Sequence, residues 1–311
     1  MSSGGLLRRA GQGLALGAGV AGAGLAWGLT EARCYTLRRV EVPVLAPGSD
    51  PLRILHISDL HLLARQHRKR AWVARLAGLA PDLVVNTGDN FCSPESLDPL
   101  LECLSGLLAR PGAFVFGSND YLRPQFRNPL SYLVHGRSEA SEVEQPSLPV
   151  EELHAAFVEA GWVDLNDAGA TVEVAGRTLA LRGTDDAHHD RDHYEEVAGP
   201  FDPDADLAIG VTHAPYLRIL DAMTADGADL VMAGHTHGGQ VCLPFHGALL
   251  TNCDIDTDRV KGLSRHSAGG RTSWLHVSAG LGTSPFAPYR TFCRPEASLL
   301  TLVPRRDARG D

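Results

Sequence analysis

Ala228-Asp229-Leu230-Val231-Met232-Ala233-Gly234-His235-Thr236-His237-Gly238-Gly239-Gln240 decides how the rest of the chain is read. Its apolar first part reads as a buried strand. The glycine-flanked second part reads as a tight loop at that strand's carboxyl end. Two imidazoles stand two residues apart in the loop. Histidine is the commonest metal ligand, and glycine lets a backbone turn sharply or approach closely.

The same pattern recurs along the chain. Leu52-Arg53-Ile54-Leu55-His56-Ile57 runs into Ser58-Asp59-Leu60-His61, and Asp82-Leu83-Val84-Val85-Asn86-Thr87 into Gly88-Asp89-Asn90. Ala113-Phe114-Val115-Phe116 runs into Gly117-Ser118-Asn119-Asp120, and Leu207-Ala208-Ile209-Gly210-Val211-Thr212 into His213-Ala214-Pro215. One Asp after a strand is ordinarily a turn residue or helix N-cap, and one His near an apolar run is ordinarily structural. Cation-binding groups at the ends of five successive runs are poorly explained that way. Open α/β sheets collect ligands at the carboxyl ends of their strands, so the pattern predicts one convergent site.

The donors are carboxylates, imidazoles and an amide, without a thiolate, a set suited to Mn, Fe or Zn. Asp59, His61, Asp89, Asn119, His213, His235 and His237 are too many for one tetrahedral ion. They suit two divalent ions sharing a carboxylate, and Asp89 is the natural bridge. Two ions ~3.5–4 Å apart clamp an in-line displacement at phosphorus. The expected nucleophile is then a metal-bridging hydroxide, and no Ser or Cys nucleophile is needed.

Asp59-Leu60-His61, Gly88-Asp89, Gly117-Ser118-Asn119-Asp120, His213 and Gly234-His235-Thr236-His237 resemble the five motifs of the calcineurin-like metallophosphoesterases, from about Pro51 to Pro304. Gly238-Gly239-Gln240 and Gly280-Leu281-Gly282-Thr283-Ser284 are similar to the bacterial membrane- or wall-associated phosphodiesterase branch. The resemblance implies that Asp59, His61, Asp89 and His237 hold one ion. Asp89, a third-motif amide, His213 and His235 would hold the other. It also implies a four-layer α/β/β/α sandwich of two mixed sheets flanked by helices, which the alternation of strand-like and helical runs suggests independently.

The third motif departs from the family pattern, which reads Gly-Asn-His-Asp or Gly-Asn-His-Glu. An ungapped match puts Ser118 at the ligand position and Asn119 at the histidine position. A hydroxyl is the poorer ligand, so a small backbone adjustment that brings Asn119 to the ion is expected, with Ser118 the alternative. The usual histidine acid is missing. General acid help is typically worth ~10²–10⁴-fold, so a good leaving group is favoured. Asp120 or a loop histidine, His188 or His189, could take its place, although both histidines read first as part of a solvated polar loop.

The expected activity is hydrolysis of phosphate esters, chiefly phosphodiesters, of a small-molecule or lipid-linked substrate. The alternatives are a pyrophosphohydrolase of a lipid or nucleotide-sugar precursor and a metal-binding scaffold without activity. The net charge of −9 over 311 residues argues against an extended nucleic-acid-binding face.

Arg8-Arg9 precedes an uncharged stretch from Ala10 to Thr30, long enough at about 20 residues to cross a bilayer. Residues 1–33 are expected to be a signal-anchor or transmembrane segment, with a cleaved signal peptide as competitor. The expected location is therefore the cell membrane, with the catalytic domain on the extracytoplasmic side. Residues 34–50 read as a linker and first strand, 51–304 as the phosphoesterase domain and 305–311 as a polar tail. Cys242 and Cys253 flank a hairpin-like segment and read equally as a disulfide or as buried thiols.

Helical patterns are expected at Ala71 to Ala77, Leu97 to Leu108 and Glu151 to Ala160. A hairpin is expected at Thr171 to Leu181, and late strands at Ser273 to Ser278 and Ala297 to Val303. Arg123 to Pro149 is long, polar and proline-rich, and is expected to form a lid over the substrate pocket. His67-Arg68-Lys69-Arg70 either steers an anion or opens a solvated helix. Asn90 reads as a phosphoryl-oxygen donor or a turn cap, and Arg290 and Arg294 equally as phosphate contacts, salt-bridge partners or surface residues.

Overall fold

Two six-stranded sheets stack face to face. The computed structural model describes Gly19, residues 21–126 and residues 146–305. The first sheet contains β1 (Thr36–Leu45), β2 (Leu52–Ile57), β3 (Leu83–Asn86), β4 (Gly112–Phe114), β5 (Val163–Asp164) and β14 (Glu296–Pro304), in the order β1-β14-β2-β3-β4-β5. β14 is antiparallel to β2; the other pairings are parallel.

The second sheet contains β6 (Gly169–Val174), β7 (Arg177–Gly183), β8 (Leu207–Val211), β9 (Leu230–Ala233), β12 (Gly262–Ala268) and β13 (Arg271–Val277). Its order is β12-β13-β9-β8-β7-β6, with an antiparallel pair at each edge and parallel pairing between. A small hairpin joins β10 (Cys242–Leu243) to β11 (Gly247–Ala248).

Strand alternation builds the layers. Successive side chains of a strand point to opposite faces. On β2, Leu55 and Ile57 pack outward against the helices, and Ile54 packs inward against the second sheet. α1 (His67–Ala74), α2 (Leu97–Leu108) and α4 (Val150–Glu159) cover the outer face of the first sheet. α2 buries Leu100, Cys103, Leu104 and Leu107, the spacing of one helical face. The inner layer joins Ile54, Val85 and Leu300 to Leu179, Ile209, Leu230 and Met232. α5 (Leu217–Asp226) lays Ile219, Leu220 and Met223 on the outer face of the second sheet. Its end is set by Gly227 in the left-handed region (φ 107°). The result is the expected four-layer α/β/β/α sandwich.

The expected hairpin turns at Gly176, and the expected helices and late strands match within a few residues. β12 was not expected, nor was the placement of β1 beside β14. Residues 21–31 are helical. The Glu31 carboxylate accepts the N–H groups of Phe292 (3.0 Å) and Cys293 (2.8 Å), docking that helix on the late loop.

Among the described residues no helix is long and apolar enough to cross a membrane. Residues 1–18 and 20, which carry half of the expected anchor, lie outside them. Residues 127–145, most of the expected lid, also lie outside. The flanks of that segment pair with each other through an antiparallel bridge between Leu122 and Ser147.

Candidate metal centre

β2, β3, β4, β8 and β9 all end at the same edge of the sandwich, where their loops meet. Two glycines make the meeting possible. A Cβ on Gly234 would lie 1.9 Å from Ser58 Oγ and 2.7 Å from Asp59 Oδ2. One on Gly117 would lie 2.5 Å from Asp89 Oδ1 and from His213 Cε1. No other residue leaves that room.

Asp59, His61, Asp89 and His237 each offer a ligand atom, and these atoms lie within 4.8 Å of one another. His61 Nε2 is 3.0 Å from His237 Nε2 and 3.3 Å from Asp89 Oδ2, and His237 Nε2 is 3.4 Å from Asp59 Oδ1. On the other side of Asp89, His213 Nε2 lies 3.6 Å from Oδ2 and 3.3 Å from His235 Nδ1. Asn119 completes the ring. Its backbone N–H donates to Asp89 Oδ1 (2.7 Å) and its side-chain amide to Oδ2 (2.9 Å). Ser118 opens the short helix α3 (Ser118–Tyr121) and gives its carbonyl to Leu122 N–H.

The backbone is strained where the donors sit. Asp59 (φ 49°), His61 (41°), Asp89 (57°), His235 (67°) and His237 (51°) all occupy the left-handed region. Each such non-glycine residue costs roughly 1–3 kcal/mol and persists only where its surroundings hold it; such outliers cluster at functional sites.

The donor set fits divalent cations. His213 Nδ1–H donates to the Thr87 carbonyl (2.6 Å), which turns Nε2 of that ring toward the site. His235 Nε2 lies 3.1 Å from the Asn252 carbonyl and 3.2 Å from its side-chain amide. His213 Nε2 and His235 Nδ1 face each other at 3.3 Å beside Asp89, with room for a proton or a metal ion to be shared there.

Charge follows the same logic. Burial lowers His61 and His235 to about 4 and holds His237 well below the ordinary imidazole range, so these rings are neutral and ready to coordinate. Burial opposes charge on His213 too, but the Asp89 and Asp59 carboxylates carry it up to about 9. Burial raises Asp59 to about 6. It works in the same direction on Asp89, where His213, His61 and the Asn119 donors outweigh it and bring the carboxyl to about 2.

The family model for the calcineurin-like phosphoesterase superfamily domain matches residues 52–242, a span that holds every one of these donors. The chain belongs to that superfamily. Among curated relatives, YpbG of Bacillus subtilis, an uncharacterized protein, is 27% identical over 257 residues, covering 82% of each chain. Phosphodiesterase YaeI of Escherichia coli is 26% identical over 281 residues, covering 86% of this chain and 88% of its own. A bovine transmembrane protein with a metallophosphoesterase domain is 28% identical over 227 residues, 68% of this chain and 47% of its own.

Other expected residues of this phosphoesterase take supporting places. Both Asp120 oxygens are engaged. Oδ2 accepts the N–H groups of Asp89 (2.7 Å) and Gly117 (3.0 Å), and Oδ1 accepts the backbone (2.8 Å) and side-chain (3.0 Å) N–H groups of Asn90. Asn90 is held at its other end by the Asn86 amide (2.7 Å). The pair braces the second and third motifs against each other. His188 lies against His235, ring centroids 4.3 Å apart, with its Nδ1 2.9 Å from the Tyr216 hydroxyl. His189 pairs with Asp186 (3.0 Å).

Sequence reasoning missed two supports. Arg290 is fully buried. Its guanidinium donates to the carbonyls of Ala279 (2.7 Å), Gly282 (2.7 Å) and His237 (3.1 Å), which fixes the fifth-motif loop. Lys69, inside the basic run, is buried and donates to the Leu60 carbonyl (2.7 Å) between the two first-motif ligands; burial brings its amine down to about 7. All six cysteines are free thiols, so Cys242 and Cys253 form no disulfide. Cys242 lies instead beside Cys293, both thiols donating to the Gly238 carbonyl (3.3 and 3.4 Å).

Proposed function

We propose that the chain is a dinuclear hydrolase of phosphate esters, chiefly phosphodiesters. The observation that carries the reading is Asp89, buried and contacted from one side by His61 and from the other by His213 and Asn119. Asp59, His61, Asp89 and His237 would hold one divalent ion. Asp89, Asn119, His213 and His235 would hold the other, the Asn119 amide turning its oxygen toward it. When bound, such a pair acidifies water and neutralises charge on phosphoryl oxygens.

The chain's own residues orient these groups. Asp120 and Asn90 hold the Asp89 turn, and Arg290 holds the His237 loop. Asp120, fully occupied by N–H donors, serves as a positioning residue in this reading and not as the general acid. With no histidine in the third motif, good leaving groups such as aryl alcohols or diphosphates are favoured. The phosphodiesterase name of the E. coli relative supports the diester reading.

The chain is also proposed to sit at a membrane through its N-terminal segment, with the catalytic domain outside the cytoplasm and lipid-linked phosphoesters within reach. The uncharged stretch from Ala10 to Thr30 and the transmembrane name of the bovine relative support that placement.

Hydrolysis of bis-(p-nitrophenyl) phosphate tests the activity. Turnover with Mn²⁺, loss with chelator and recovery on adding Mn²⁺ back are expected. Turnover that survives complete metal removal contradicts the reading. Metal binding without turnover of any phosphoester supports the inactive scaffold.

A further inference from the structure

The layer between the sheets packs Ile54, Val85, Met232 and Leu300 together, and polar side chains enter it at the edge beneath the metal centre. There His56 of β2 and His276 of β13 meet across the gap, Nδ1 to Nδ1 at 2.9 Å. His56 Nε2 is 3.0 Å from Thr87 Oγ1, Thr87 Oγ1 is 2.7 Å from Ser58 Oγ, and Ser58 Oγ is 2.5 Å from Asp59 Oδ2. All five residues are at most 1% exposed. A chain of polar groups this deep in a core is costly unless every member is satisfied.

The last acceptor fixes the direction of every bond. A carboxylate that ligates a cation only accepts. Ser58 therefore gives its proton to Asp59 and accepts from Thr87. Thr87 has then spent its own proton and accepts from His56 Nε2–H. His56 Nδ1 is left as an acceptor, so His276 must carry its proton on Nδ1. All four donors point the same way, from the second sheet to a ligand on the first.

We propose that His276, His56, Thr87 and Ser58 form a one-way donor chain that positions Asp59 for metal binding. The chain occupies Oδ2, and the His235 N–H is shared between Oδ2 (3.1 Å) and Oδ1 (3.2 Å). Oδ1, 3.4 Å from His237 Nε2, is the oxygen left to face a cation held with the other donors. His276 acts through three other side chains and is a positioning residue. It ties the registration of the two sheets to the geometry of the centre. The inference rests on the metal-centre reading for the role of Asp59.

Two measurements on the full chain test it. In metal-free, ¹⁵N-histidine-labelled protein at pH 8, long-range ¹H–¹⁵N correlation is expected to show His56 as the Nε2–H tautomer and His276 as the Nδ1–H tautomer. The opposite tautomer at either ring overturns the chain. In Mn²⁺ competition titrations, Thr87→Val is expected to weaken the tightest ion about 10–100-fold, the scale of losing an outer-shell partner. Thr87→Ser, which keeps the hydroxyl, is expected to restore the affinity. A folded Thr87→Val that binds Mn²⁺ as tightly as the unaltered protein overturns the proposal, and the tautomers decide if Thr87→Val does not fold. If the unaltered protein binds no Mn²⁺, the metal-centre reading fails and takes the positioning role with it. Reversed tautomers with intact Mn²⁺ binding defeat this inference alone.

Discussion

The two halves of the centre are built differently from similar sequence spacings. Asp59 and His61, two residues apart, both reach the first half, with Asp89 and His237. His235 and His237, also two residues apart, separate: His237 meets His61, and His235 meets His213. The left-handed backbone at both residues and the Arg290 clamp on the His237 carbonyl accompany that divergence. The first half contains two carboxylates. The second shares one of them and otherwise offers two imidazoles and an amide. In the proposed two-ion centre, the first half is therefore expected to fill first and more tightly.

The largest effect is expected at the residue the halves share. Asp89→Asn should lower turnover of bis-(p-nitrophenyl) phosphate by at least about 10³-fold, the scale of removing a pre-organised electrostatic contact, and should empty both halves in elemental analysis. An Asp89→Asn protein that still carries two ions would dissolve the comparison.

Next in size is the clamp behind the first half. Arg290→Met leaves several buried carbonyls without donors at about 1–3 kcal/mol each, so urea unfolding should show a loss of at least about 3 kcal/mol. Unchanged stability would mean that Arg290 does not hold the His237 loop.

A smaller change sharpens the second half. Asn119→Ala should weaken the second ion by about tenfold and leave the first in place, with Ser118→Ala doing less. The reverse ranking would move the third-motif ligand to Ser118.

The smallest expected effect is on stability, through the histidines beneath the centre. Burial lowers His276 to about 4 and holds His56 well below the ordinary range. An imidazole with a depressed folded pKa takes up its proton preferentially in the unfolded chain. Stability is therefore full above about pH 6.5 and falls as pH drops toward 4. Between pH 6.5 and 5.5 the unaltered protein should lose about 1 kcal/mol more than His276→Leu. Equal losses would place the His276 titration elsewhere.

Much of the site was legible because the chemistry is local to strand ends. Five apolar runs each stop at a cation-binding group, and the sheet topology brings those ends together. The layered fold followed from the alternation of runs. The supports were not legible, because each depends on a partner far away in sequence. His56 and His276 each read as one histidine inside an apolar strand, and the bond that gives them meaning spans 220 residues. Lys69 looked like part of a solvated basic run, and its burial against the Leu60 carbonyl depends on how α1 packs. Arg290 read as a surface or phosphate-binding cation, although its donors end on main-chain carbonyls. β12 was missed because Ser264, Arg265, His266 and Ser267 give it little apolar signal and it lies at a sheet edge.

Counting ions in the active protein tests the account most directly. Elemental analysis of chain that turns over bis-(p-nitrophenyl) phosphate at its full rate should find two divalent ions per chain, with turnover falling as the second is withdrawn. Full turnover with no more than one bound ion would contradict it.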